Sequence, residues 1–89
     1  MIPFEVYPGF KRAYKKRIAF SSKLRQRVKE RIALFQSNPQ SPLLNDHPLK
    51  GDKAGHRAFS ITGDIRIVYF MDHDTAYFVD IGSHNQVYR

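Results

Sequence analysis

The stretch HRAFSITGDIRIVYFMDHDTAYFVDIG, from His56 to Gly82, decides the fold, because it holds three β-rich runs separated by two tight turns. Aromatic and β-branched residues dominate the runs, whereas the two separators have the composition of turns. Short turns favour antiparallel pairing of consecutive strands. The predicted strands are residues 56–61, 65–71 and 75–82, with turns at 62–64 and 72–74.

Alternation along these strands predicts which side chains share a face. In the middle strand, one face carries Ile65, Ile67, Tyr69 and Met71, and the other carries Arg66, Val68 and Phe70. We expect the first set to pack on helices. Because an unpaired arginine is costly to bury, Arg66 should line a concave, solvated surface. If Phe59 and Ile61 face the helices, Ser60 lies on the Arg66 side.

The residues before this stretch predict the rest of an α+β fold. The predicted elements are a strand at 2–7 ended by Pro8-Gly9, a helix at 10–19, a helix at 23–36 capped by Ser21-Ser22, and an irregular loop at 37–55. The expected architecture is an N-terminal strand, a two-helix hairpin and an antiparallel three-strand meander with a short tail. The helices pack on one face of a largely antiparallel sheet.

Length and composition exclude several classes of protein. The 89 residues suffice for one domain, residues 1–89, and the absence of cysteine excludes disulfide frameworks and zinc-thiolate sites. The N-terminus lacks the basic and apolar regions of a signal peptide, and no stretch approaches the ~20 apolar residues that span a bilayer. We therefore expect a cytoplasmic protein without a membrane partner.

The positive charge is concentrated in one segment. The net charge is +7, and ten of the 15 Lys and Arg residues lie between Lys11 and Arg31, with Glu30 as the only acid there. A surface of this kind attracts polyanions such as RNA. A solvated helix face is the alternative interpretation.

The polar residues of the C-terminal half resemble the inventory of a metal-free ribonuclease. Such an enzyme needs a base for the 2′-hydroxyl, an acid for the leaving 5′-oxygen, and cations for the phosphorane. Histidine suits the first two roles, and arginine and lysine suit the third. The candidates are Asp46, His47, Lys50, Lys53, His56, Arg57, Asp64, Arg66, His73, His84 and Tyr88.

Each candidate also has a purely structural interpretation. Arg57 would pair with a nearby acid, Asp64 would be a preferred turn residue, and Tyr88 would cover the core. His56 and His73 would be solvated. No metal is expected, because the adjacent ligand types at 72–74 rarely converge on one ion and no known metal-binding spacing is present.

Three blocks of sequence resemble toxins of the RelE superfamily, in particular its YafQ branch. The blocks are Asp46-His47-Pro48-Leu49-Lys50-Gly51, then Gly55-His56-Arg57 with Gly63-Asp64-Ile65-Arg66-Ile67-Val68-Tyr69, and finally Ile81-Gly82-Ser83-His84-Asn85-Gln86-Val87-Tyr88. The resemblance implies a bacterial type II toxin that cleaves messenger RNA on the ribosome without a cofactor. It also implies a cognate antitoxin that neutralises the toxin by direct binding, and contact with ribosomal RNA.

The resemblance also implies roles for individual residues. His47, Asp64 and His84 correspond to the family's loop histidine, turn aspartate and C-terminal histidine. Arg66 corresponds to the strand arginine that stabilises the scissile phosphate, and Tyr88 to a terminal aromatic that stacks on a base. RNA contacts are expected from Lys50, Lys53, Arg57 and Ser60.

One position departs from the YafQ pattern, because Ser60 stands where that branch carries a further histidine. Serine cannot exchange protons near neutral pH, so one acid/base candidate is missing. Two other functions therefore stay open. One is a non-catalytic toxin resembling ParE, which acts on DNA gyrase, and the other is a basic RNA-binding module with a decayed active site.

Overall fold

A five-stranded mixed sheet forms the centre of the computed structural model, which describes residues 1–88. The elements in chain order are β1 (Phe4–Val6), α1 (Pro8–Arg17), α2 (Ser22–Ser37), β2 (His47–Pro48), β3 (Arg57–Ser60), β4 (Ile65–Asp72), β5 (Thr75–Ser83) and α3 (His84–Val87). The strand order is β1-β5-β4-β3-β2, with β1 parallel to β5 and the other neighbours antiparallel. The predicted α+β meander is confirmed, and β2 extends it at one edge.

The start of each of the two long helices is determined by local sequence. The Ser21 hydroxyl accepts a hydrogen bond from the Leu24 amide at 3.2 Å, which caps α2 as predicted. The predicted start of α1 at Phe10 is too late, because Pro8 occupies its first turn. Proline suits this position, since the first amides of a helix have no intrahelical partner.

The main core lies between the sheet and the hairpin of α1 and α2. Phe35 of α2 stacks on Phe59 of β3 with ring centroids 4.6 Å apart, and it meets Tyr69 edge-on at 4.9 Å. Ile67 and Phe78 are fully buried on the same face. This confirms the face predicted for Ile65, Ile67 and Tyr69, but Met71 is 42% exposed and does not join the core as expected.

A second, smaller core covers the other face of the sheet. Ala58 and Val68 are buried there against Val87 and Tyr88. The residues after β5 were predicted only as a short tail, and the structure shows that they form a short helix. Ser83 and Gln86 form a capping box that starts α3, and Val87 then anchors the short helix to the sheet.

The loop from 37 to 55 is more ordered than its sequence indicates. It contains the strand β2 and two short 3-10 turns, at Pro42–Leu44 and Gly51–Lys53. Leu44 is fully buried. The Arg31 guanidinium of α2 donates to the Leu43 carbonyl at 2.9 Å and to the Ser60 carbonyl at 3.3 Å. Side-chain contacts with the rest of the fold therefore replace regular secondary structure in this loop.

The aromatic core makes stability depend strongly on Phe35. We predict that Phe35→Ala lowers the free energy of unfolding by about 3–5 kcal/mol, because a stacked, buried ring is lost and a cavity remains. Urea denaturation would measure the change. Phe20→Ala is the matched control, since Phe20 is 78% exposed, and it should change stability by less than about 0.5 kcal/mol. Equal losses in both variants would contradict this account of the core.

Candidate active site

An open cleft of about 430 Å³ lies on the sheet face opposite α1 and α2, beside α3. Its walls are His47, Pro48, Leu49, Lys50, Asp52, Lys53, Arg66, His84 and Tyr88. Residues from β2 and its loop, from the centre of β4 and from α3 thus meet at one place. The family resemblance assigned a catalytic or RNA-binding role to nine residues. Six of them line the cleft, and they are His47, Lys50, Lys53, Arg66, His84 and Tyr88.

Arg66 projects into the cleft from the middle strand, and two residues of the C-terminal segment hold it there. Its Cζ lies 5.6 Å from the centroid of the Tyr88 ring, in cation-π geometry. The ring of His84 meets Tyr88 edge-on at 4.6 Å. As predicted, Arg66 lines an open, concave surface, although its side chain is half-buried there and its Nε is buried.

The hydrogen bonds of the two cleft histidines favour opposite tautomers. A carbonyl oxygen can only accept, so the contact of 2.8 Å between His47 Nδ1 and the Asn45 carbonyl requires Nδ1–H as donor. The neutral ring then keeps a free lone pair on Nε2. A guanidinium can only donate, so Arg66 Nη1, 3.5 Å from His84 Nδ1, favours a proton on His84 Nε2.

Backbone geometry presents the Asn45 carbonyl to His47. Asn45 adopts the left-handed conformation, with φ of 45° and ψ of 44°. Asparagine tolerates this region better than most residues. Asn45 was not among the residues predicted for the site, and the only sequence signal for it was its position directly before the Asp46-His47 pair.

The structure leaves Asp64, Arg57 and Ser60 outside the cleft. Asp64 lies in the exposed 62–64 turn and lines a neighbouring groove beside Lys16 and Gln86. Ser60 shares the sheet face of Arg66, as predicted, and pairs with it in register, yet it does not line the cleft. The strands carry the 62–64 turn past the end of the cleft, so these two residues lie beyond its wall.

Arg57 lies on the helix side of the sheet, away from the cleft. Its Nε donates to Asp46 Oδ1 at 2.6 Å, and Tyr69 Oη donates to Asp46 Oδ2. The pairing with a nearby acid was the structural alternative for Arg57. The hydrogen bond to Asp46 raises the pKa of the guanidinium, and burial raises the pKa of the Tyr69 hydroxyl, with a further rise from Asp46.

The remaining histidines lie apart from the site. The side chain of His73 is 93% exposed in the turn between β4 and β5. His56 was expected to be solvated, and this is wrong, because its ring packs edge-on against Phe70 at 5.6 Å. Within residues 1–88, no group of three or more histidine or acidic side chains is arranged to hold a metal ion.

The segment from Lys11 to Arg31 forms a basic surface on α1 and α2. Among the described residues, Arg17 pairs with Asp80 at 3.2 Å and Arg27 lies 3.9 Å from Glu30. Most of the other basic side chains of this segment are exposed and have no carboxylate of residues 1–88 within 4 Å, among them Lys11, Lys15 and Lys23.

Comparisons with known proteins identify relatives over nearly the whole chain. The family model of the bacterial toxin of type II toxin-antitoxin systems, YafQ, matches residues 3–89. A metal-bound toxin from Helicobacter pylori is 29% identical, with a TM-score of 0.71 over 99% of this chain and 100% of that chain. No curated protein matches.

Two more distant structures share the fold. A chain of the DinJ-YafQ complex from E. coli is 19% identical, with a TM-score of 0.80 and full coverage of both chains. The YoeB/ParE toxin from Agrobacterium tumefaciens is 20% identical, with a TM-score of 0.74 over 92% of this chain and 98% of that chain.

The raised pKa of Tyr69 predicts a loss of stability at alkaline pH. A tyrosine in the unfolded chain releases its proton near pH ~10, whereas the folded protein keeps the Tyr69 proton to higher pH. Above that pH the unfolded state binds fewer protons, so stability falls as pH rises, by at most ~1.4 kcal/mol per pH unit from this group. Tyr69→Phe should remove this part of the decline.

Urea denaturation at a series of pH values from about 8 to 11 would measure the slope. Tyr77→Phe is the matched control, because Tyr77 lies on the opposite sheet face, stacked on Phe70. That variant should keep the slope of the wild type. A slope for Tyr69→Phe as steep as the wild type's would show that Tyr69 titrates normally.

Proposed function

From the membership of this chain in the YafQ family of type II toxin-antitoxin toxins, we propose that it is a metal-independent endoribonuclease that cleaves messenger RNA on the ribosome. The observation that carries the proposal is the cleft, which combines a histidine with a free Nε2 lone pair, an arginine and a second histidine. These are the groups that cleavage through the 2′-hydroxyl requires.

In this mechanism His47 is the base. Its Nε2 takes the proton of the 2′-hydroxyl, and the 2′-oxygen attacks the adjacent phosphorus. The Nδ1–H bond to Asn45 holds the ring and stabilises the imidazolium that forms. An analogous orienting bond assists histidine bases in other hydrolytic sites.

Arg66 stabilises the extra negative charge of the phosphorane. Guanidinium binds phosphate oxygens through several N–H groups at once, and cation-π contact with Tyr88 fixes its direction. Lys50 and Lys53 at the rim of the cleft attract the neighbouring phosphates. The ring of Tyr88 is half-buried and offers a surface on which a base stacks.

His84 provides the proton for the leaving group. In this step His84 acts as the imidazolium, with protons on both ring nitrogens, so its Nδ1 does not accept from Arg66. The bond between phosphorus and the 5′-oxygen breaks, that oxygen takes the Nε2 proton, and His84 becomes the neutral ring with Nδ1–H. The upstream product ends in a 2′,3′-cyclic phosphate. Serine at position 60 cannot replace a histidine in proton transfer, so His47 and His84 carry both steps. Asp64 and Arg57 receive no chemical role, because they lie outside the cleft.

A cognate antitoxin and ribosomal RNA are the proposed partners. The basic surface of α1 and α2 suits the phosphate backbone of ribosomal RNA and an acidic antitoxin segment alike. The chain in the E. coli structure belongs to a complex of DinJ with YafQ, which is consistent with an antitoxin partner here. No helix of residues 1–88 has the length and apolar character needed to span a membrane. The proposed action on ribosomes places the protein in the cytoplasm.

The first test of the proposed function concerns His84. In a reconstituted translation mixture, we expect cuts at fixed codon positions that need ribosomes, and His84→Ala should reduce cleavage on the order of 10²- to 10⁴-fold. Binding to the antitoxin should stay near normal. Primer extension maps the cuts, and His73→Ala, at an exposed histidine outside the cleft, is the matched control.

Intact mRNA with a folded wild-type protein would contradict the nuclease. Inhibited supercoiling by DNA gyrase would then favour the ParE-like alternative, and salt-sensitive ribosome binding without cleavage would favour an RNA-binding module. Loss of both cleavage and antitoxin binding in His84→Ala would indicate a role in folding instead.

The second test of the proposed function concerns the 2′-hydroxyl. An mRNA with a single 2′-deoxynucleotide on the 5′ side of a mapped cut should resist cleavage there, while cuts at other codons persist, because the attacking oxygen is missing. Mass spectrometry of the upstream fragment from unmodified mRNA should find a cyclic phosphate. A cut at the deoxynucleotide, or a free 3′-hydroxyl, would contradict attack by the neighbouring oxygen.

A further inference from the structure

The carboxylate of Asp46 connects the loop that carries His47 to two strands of the sheet. Oδ1 accepts from Arg57 Nε at 2.6 Å and Oδ2 accepts from the Tyr69 hydroxyl. The Asp46 side chain is only 9% exposed. Arg57 and Tyr69 are register partners on β3 and β4, so the two donors are held side by side by the sheet itself.

His47 follows directly in sequence and lies on the other side of the sheet edge. The strand β2 has only two residues, and its pairs are His47 with Ala58 and Pro48 with Arg57. Two residues of pairing hold a strand weakly. The backbone of His47 is therefore held mainly through the contacts of neighbouring residues. Asp46 makes the strongest of these contacts, since hydrogen bonds to charged groups are stronger than those between neutral groups.

The contacts of Asp46 persist throughout the physiological pH range. The hydrogen bond to Asp46 raises the pKa of Arg57, which stays charged, and burial together with Asp46 raises the pKa of Tyr69, which keeps its proton. The network is thus a permanent anchor and not a proton donor. It also lies on the helix side of the sheet, where Arg57 and Tyr69 line a groove with Phe35, away from the cleft.

We propose that Asp46, Arg57 and Tyr69 are positioning residues for His47. They lie on the helix side of the sheet and fix the orientation of the His47 ring, which faces the cleft on the other side. The chain of contacts runs from the two strands to the Asp46 carboxylate, then through the Asn45–Asp46 backbone to the carbonyl that accepts from His47 Nδ1. The network would thereby set the position of the ring and the location of its proton. The catalytic part of this inference rests on the proposed function.

The direct test is the tautomer of His47, measured by long-range ¹H–¹⁵N NMR correlation on the purified protein. The wild type should show the proton on Nδ1. Tyr69→Phe keeps the packed ring but removes one donor to Asp46, and Asp46→Asn replaces the charged acceptor. Both variants should shift the ring toward the mixed tautomers of a solvated histidine, whereas Tyr77→Phe, on the opposite face, should leave it unchanged.

The kinetic test uses the cleavage assay. Tyr69→Phe should lower kcat on the order of 10- to 100-fold, as expected for a misplaced base, with KM within about twofold. In a His47→Ala background the same substitution should have no further effect, because the only group that it positions is gone. Tyr77→Phe should cleave like the wild type.

Three results would overturn the proposal. These are an unchanged tautomer in both Tyr69→Phe and Asp46→Asn, a fall in kcat of the same size with or without His47, or an equal fall in Tyr77→Phe. If a variant does not fold, Arg57→Gln serves in its place, since the Arg57 side chain is 42% exposed and fills no core position.

The NMR arm separates this inference from the nuclease proposal. A wild type that cleaves no mRNA, but whose His47 tautomer responds to Tyr69→Phe, would contradict the nuclease and support the positioning network. A wild type that cleaves mRNA, but whose His47 tautomer and kcat do not change when Asp46, Arg57 or Tyr69 is substituted, would support the nuclease and contradict the positioning network.

Discussion

The alternation of side chains along β4 is the constraint on which both faces of this molecule depend. β4 lies in the middle of the sheet, so each of its residues must suit one of two buried or half-buried surfaces. Ile67 and Tyr69 enter the helix-side core, while Arg66 and Val68 face the cleft and the second core. A slip of one residue would exchange these sets and place a guanidinium among stacked aromatic rings. The aromatic core therefore fixes Arg66 in the cleft.

Polar contacts, and not hydrophobic burial, hold the loop that carries His47 against this sheet. Leu44 is the one fully buried apolar anchor between residues 38 and 55. The other restraints are the Arg31 bonds to two carbonyls and the Asp46 contacts with Arg57 and Tyr69. Such bonds are directional, whereas apolar packing tolerates sliding. A loop fixed in this way presents His47 in one orientation, as its proposed role as a base requires.

The basic side chains lie on two separate surfaces of the molecule, which are the face of α1 and α2 and the cleft. The exposed basic side chains of α1 and α2 lie on the opposite side of the sheet from the cleft, where they act over distance on a large polyanion. The cleft itself contains few cations, and its central one is oriented by Tyr88 and His84. Long-range attraction needs only net charge, but stabilisation of a single phosphorane needs a fixed direction. Under the proposed function, the diffuse positive surface attracts the RNA, and the small, constrained site stabilises the phosphorane.

The sequence by itself determined the order of the main helices and strands and the faces of Ile65, Arg66, Ile67 and Tyr69 along β4. The family resemblance pointed to six of the residues that line the cleft. The elements and faces follow from periodicity and turn chemistry, and the resemblance rests on motifs such as the Asp46–Gly51 and Ile81–Tyr88 blocks, all of which are local properties of the chain. Local signals also misplaced the start of α1 and missed α3, because Pro8 reads as a breaker and a four-residue helix has almost no periodicity. Only the tertiary structure decided that Arg57 pairs with Asp46, that Asp64 and Ser60 lie outside the cleft, and that the Arg66 guanidinium contacts His84 Nδ1. Those outcomes depend on contacts between residues distant in sequence, and no pattern within one segment encodes them.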